Sequence, residues 1–143
     1  MTDLKNGIIE INGFEINPNT TSFDIINNLK NVYSNRAVSK DGSCELFRFD
    51  VVRLLDKHFK VKITFVREKI NNVQLFSLYG APLTYEERFK ADCEWLKSIL
   101  GKPDEIHDDG NSYYCEGRHI YSFIQRDLSR NPAETFIVCK YNG

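Results

Sequence analysis

Three histidines, His58, His107 and His119, are the side chains best suited to moving protons near neutral pH. Beside the chain's lysines they would supply the acid and base that cleavage of RNA or a nucleotide requires. None stands at a diagnostic spacing, and there is no Walker loop, dinucleotide fingerprint, G-x-S-x-G elbow or H-E-x-x-H pair. The expectation is no catalytic residue and no enzyme. A small enzyme of unrecognised family, acting on a nucleotide or RNA through these histidines, is the alternative.

Glu105, His107, Asp108 and Asp109 raise the question of a metal. On a strand His107 and Asp109 would converge while Asp108 points away, and the oxygen-ligand register of a calcium loop is absent, so neither metal nor other cofactor is expected. Tyr113, Tyr114, Tyr121 and Phe123, near Arg118 and Arg126, superficially suit a stacking surface for nucleic acid. Alternation turns Tyr113 and Tyr114 to opposite faces in an acidic neighbourhood, so these aromatics read as core and partner contacts and nucleic acid is not expected. Between positions 84 and 116 nine acids face four bases, a net charge of minus five. Glu86 and Glu87 suit the start of a helix. The cluster Asp104, Glu105, Asp108 and Asp109, beside Trp95, Tyr113 and Tyr114, is the expected contact surface for a basic protein partner.

The elements that must carry these residues are written in local chemistry. Thr84 and Glu87 form a capping box, Tyr85, Phe89, Cys93, Leu96 and Leu100 make a helical stripe, and Gly101 and Pro103 end the helix. Residues 7–17 read as a hairpin turning at Asn12-Gly13. Ser22 is the expected cap of a first helix with the stripe Ile25, Ile26, Leu29, Val32 and Tyr33. Residues 35–43 read as a long loop. A strand follows with Leu46, Arg48 and Val52 on one face and Phe47, Phe49 and Val51 on the other. Phe59, Val61, Ile63 and Phe65 alternate with Lys60, Lys62 and Thr64, a turn is expected at Asn71-Asn72, and a strand returns from Val73 to Tyr79.

After the second helix come Ile106 and His107, a turn at Asp109-Gly110-Asn111, a strand through Tyr113 to Cys115, a turn at Glu116-Gly117 and a strand from Ile120 to Ile124. A loop containing Ser129, Asn131 and Pro132 precedes a last strand, Phe136 to Tyr141, apolar on both faces and hence central. Each half thus reads as a capped helix and about three antiparallel strands. The implied fold is α+β, a single domain over residues 1–143 with one antiparallel sheet of about seven strands, two helices on one face and the other face partly exposed.

The order helix, Leu100-Gly101-Lys102-Pro103, strand, glycine turn, Tyr113-Tyr114 strand resembles a unit in the fold of the β-lactamase inhibitor protein, in small outer-membrane-assembly lipoproteins and in bacterial immunity proteins of polymorphic toxin and contact-dependent inhibition systems. The resemblance covers about the last 60 residues and implies binding to another protein without catalytic residues.

With 19 basic against 20 acidic side chains there is no global field for nucleic acid or an anionic membrane. The N-terminus lacks an apolar leader and no run spans a bilayer, so a cytoplasmic address and no membrane partner are expected. Cys44, Cys93, Cys115 and Cys139 form no C-x-x-C pair and read mainly as buried free thiols. The expected function is a protein-binding inhibitor, an immunity protein that occludes a toxin domain such as a basic nuclease. A monomer or weak homodimer is expected, with self-association through the uncovered sheet face as a third possibility.

Overall fold

The computed structural model of the chain describes residues 1–125 and 134–141. Arg126 and the loop expected at Ser129, Asn131 and Pro132 lie outside the described residues. The chain runs through β1 (Ile9–Ile11), β2 (Phe14–Ile16), α1 (Ser22–Leu29), β3 (Asn35–Val38), β4 (Cys44–Leu54), β5 (Lys57–Val66) and β6 (Lys69–Ser77). It continues through α2 (Tyr85–Leu100), β7 (Glu105–His107), β8 (Gly110–Cys115), β9 (Arg118–Gln125) and β10 (Glu134–Tyr141).

The α+β class with an antiparallel sheet and two helices is as expected, but the sheet has eight strands in the order β3-β4-β5-β6-β10-β9-β8-β7, and β1-β2 form a separate two-stranded sheet. Each half is therefore a helix followed by a four-stranded meander, and the last strands of the two halves, β6 and β10, meet antiparallel at the centre. The additional strand is β3, at the outer edge of the first half. Residues 35–38, expected as loop, form edge strand β3 on β4; all four are exposed, so no apolar pattern marks them.

Covered-face packing follows from alternation. Phe47, Phe49, Phe59 and Phe65 are buried in one core with Ile25 and Leu29 of α1 and Ile9, Ile11 and Ile16 of the β1-β2 hairpin. Each buried phenylalanine contributes about 2 kcal/mol of transfer free energy. In β4 the register shifts between Phe49 and Val52, which turns Val52 inward and leaves Val51 66% exposed. The faces expected for β4 are corrected accordingly: Phe47, Phe49, Val52 and Leu54 share the core side.

Three local corrections have plain causes. Thr21, not Ser22, caps α1, in a capping box with Asp24, and the helix stops at Leu29, so Val32 and Tyr33 pack from the following turn. The β5–β6 turn lies at Arg67 and Glu68, both at positive φ, while Asn71 and Asn72 sit inside β6. The β7–β8 turn is at Asp108 and Asp109, since His107 pairs with Gly110. The turns at Asn12-Gly13 and at Glu116-Gly117 are as expected, and α2 carries the expected capping box and ends at Gly101.

Candidate functional site: the uncovered sheet face

One cross-strand row, read from the pairing register, crosses the face opposite the helices: Asn35, Arg48, Lys62, Gln74, Val138, Tyr121, Ser112 and Glu105. Cross-strand partners share a face, so the row fixes what that face presents. Its β4–β5 side is basic, with Lys60 two residues from Lys62. Its β7–β9 side is aromatic, with the acidic β7–β8 turn at the edge.

The aromatic part is continuous. Phe76 contacts Phe136 at 5.5 Å between ring centroids, Phe136 contacts Phe123 at 5.7 Å, and Phe123 meets Tyr121 edge-on at 6.4 Å. Tyr121 lies 4.6 Å from His119, which stacks at 4.6 Å and 8° on Tyr114. Six rings thus run from the central seam to the β8 side of the sheet, and Tyr114 at the end is 55% exposed. Gly110 is needed beneath this run, because a Cβ there would collide with the Ser122 carbonyl.

His119 Nε2 sits 3.0 Å from Ser112 Oγ, and His107 Nε2 sits 2.9 Å from Glu105 Oε2. Both histidines, with Asp109, Ser112, Tyr121 and Phe123, line a shallow depression of about 230 Å³. Partial burial, aided by nearby Lys140, holds the His119 imidazole below its ordinary pKa against a weaker opposing pull from Glu105. His58 is exposed on β5 opposite Arg53, in the other half of the sheet.

The seven residues expected at a partner surface separate. Glu105 and Tyr114 stand on the uncovered face, with Asp108 and Asp109 at its edge. Asp104 is exposed too, and its Oδ2 accepts the Tyr114 backbone N–H at 2.7 Å. Tyr113 and Trp95 are elsewhere. Tyr113 is buried on the covered face and donates to the Gly101 carbonyl at 2.8 Å. Trp95 leans on Phe59 from α2 and donates to Asp56 at 2.9 Å, which lowers the Asp56 pKa. The opposite orientation expected for Tyr113 and Tyr114 is observed; a patch uniting Trp95 with the acidic turn is not.

The covered face holds a polar cluster that the apolar stripe concealed. Asp92 is fully buried on α2 and accepts from Ser77 and Tyr79 at 2.5 Å each, from Lys57 at 3.3 Å and, through Oδ2, from Thr135 at 3.3 Å. Its partners come from β5, from β6 and the residues just after it, and from β10, so one carboxylate ties α2 across the central seam. Burial pushes the Lys57 pKa down, opposed by Asp92, and burial with the Asp92 bond pushes the Tyr79 phenol up. The spacing of Tyr85, Phe89, Asp92 and Leu96 was the available signal, because Asp92 falls on the helical stripe.

Among the described residues no group of three or more His, Cys, Asp or Glu side chains is placed to hold a metal, and no helix is long and apolar enough to cross a membrane. All four cysteines are free. Cys139 is buried, with its thiol pushed up to about 11 by burial; Cys93 and Cys115 are half-buried, while Cys44 is exposed. No family model, no curated protein and no solved structure matches the chain.

Proposed function

We propose that this chain is a protein-binding inhibitor of the immunity type, which neutralises a toxin domain by covering it with the aromatic part of the uncovered sheet face and the acidic edge beside it. The observation that supports this most is the unbroken run of six rings, with Phe123 beside the Asp108-Asp109 turn and exposed Tyr114 at its end bonded through its backbone to Asp104. Rigid aromatics supply binding energy at small entropic cost, and rim acids steer a basic partner such as a nuclease. Inhibition of this kind asks only for occlusion, and the run of rings sits on rigid strands.

The test is association kinetics of the purified toxin with the wild type and with Asp104→Lys, Glu105→Lys, Asp108→Lys and Asp109→Lys combined. The charge-reversed chain is expected to associate at least about tenfold more slowly and with a weaker salt dependence. An unchanged rate would remove the acidic edge from the mechanism.

A second reading has one observation in its favour: His107 and His119 share a depression with Ser112. Were the chain an enzyme acting on RNA or a nucleotide, His107→Ala and His119→Ala would each abolish most turnover. Absence of turnover by the wild type across such substrates would dismiss that reading.

A further inference from the structure

We infer that the uncovered sheet face is self-complementary and that a second copy of this chain docks on it, face to face, about a two-fold axis parallel to the strands. The sheet order is symmetric about the β6–β10 seam, and the row from Asn35 to Glu105 has its midpoint between Gln74 and Val138. A two-fold axis through that midpoint lays β5 of one copy over β9 of the other and β4 over β8. Lys62 then meets the ring of Tyr121, Lys60 meets that of Phe123, and Arg48 meets Ser112, whose cross-strand partner is Glu105.

Charge selects this axis. Arg48 and Lys62 are direct cross-strand partners, a like-charge pairing that costs stability, and neither Lys60 nor Lys62 has an ion-pair partner among the described residues. Asp50 and Glu134 line the same depression as Arg48, Lys60 and Lys62, which leaves the group net positive by one. A two-fold axis in the sheet plane but across the strands would stack this basic group on itself. The strand-parallel axis instead puts cations on ring faces and near an acidic edge, where cation–π attraction is favourable.

Size fits a weak dimer. Eight strands about 4.8 Å apart, with about five residues each in contact, cover roughly 600 Å² per copy, at the lower limit of specific interfaces. Because Tyr114 and Glu105 belong both to this interface and to the surface proposed for the toxin, the second copy and the toxin exclude each other, and the dimer would be a form that toxin dissociates. The dimer itself stands or falls without the inhibitor reading.

The experiment is sedimentation equilibrium of the full chain from about 1 µM to about 500 µM, with three samples. These are the wild type, the pair Lys60→Glu with Lys62→Glu, and the pair Glu105→Lys with Asp109→Lys, each checked for native circular dichroism. The wild type is expected to dimerise, each variant alone to dimerise at least about tenfold more weakly, and the equimolar mixture of the two variants to recover the wild-type affinity, because both contacts are then of opposite charge. A wild type monomeric at the highest concentration, or a dimer indifferent to both reversals, overturns the inference. No toxin enters these samples, so a monomeric wild type overturns the dimer and leaves the inhibitor reading to its own association test.

Discussion

The two faces of one sheet solve opposite problems with similar strands. The covered face hides its exception: amid buried phenylalanines and isoleucines, the Asp92 carboxylate accepts from Ser77, Tyr79, Lys57 and Thr135. The uncovered face displays its exception, because six rings lie where no helix or hairpin among the described residues packs on them. A buried charge with satisfied hydrogen bonds reads as a device for holding α2 in one position. A line of rings that runs from buried Phe136 to exposed Tyr114 reads as a surface for something else.

The largest expected effect breaks the covered face. Asp92→Ala leaves Lys57 partly buried without its counter-charge and strips acceptors from Ser77 and Tyr79, so urea unfolding should show a loss of about 3–5 kcal/mol. Asp92→Asn, of the same shape, should lose less. A cost below about 1 kcal/mol for the alanine variant would mean that the cluster does not hold the helix. Next in size, Gly110→Ala drives a methyl group at the Ser122 carbonyl and should cost about 2 kcal/mol in the same assay. Because Gly110 lies beneath the rings, this variant links the faces: both stability and partner binding are expected to fall.

The smallest effect belongs to the uncovered face alone. His119 has a folded-state pKa below its unfolded value, so the unfolded chain takes up its proton first as pH falls. The contribution is therefore fully present above about pH 6.5 and is lost as pH falls below that value through the folded pKa. Comparison of urea midpoints at pH 7.5 and 5.5 should show a shallower decline for His119→Gln than for the wild type. An identical decline would show that His119 does not feel its burial.

Those elements whose ends carry their own chemistry were legible from the sequence. The capping box at Thr84 and Glu87, the Gly101 stop and the Asn12-Gly13 hairpin are local events, and each formed where local rules put it. What could not be read depended on partners distant in sequence. β3 has no buried side chain and exists only because β4 offers it an edge. The turn at Arg67 and Glu68 needs positive φ from residues that do not advertise it, while Asn71 and Asn72, which do, were drawn into β6 by its pairing with β5.

The candidate site was half legible for the same reason. The acidic turn and the opposite facing of Tyr113 and Tyr114 followed from spacing. Trp95 lies on α2, and nothing local says that it packs on Phe59 of the first half and not beside Asp104. Local pattern marks Phe76 and Phe136 only as strand residues, because the contact that joins them to Phe123 is made across the β6–β10 seam.

The division between the faces is tested most directly by capture of binding partners from the native host, with tagged wild type, Tyr114→Ala with Phe123→Ala, and Lys57→Met compared in parallel and unfolding measured on each. The wild type is expected to retain a stoichiometric protein partner, the ring variant to lose it while its unfolding midpoint stays close to wild type, and the Lys57 variant to keep the partner for as long as it remains folded. Recovery of the same partner at the same yield by the ring variant would contradict it.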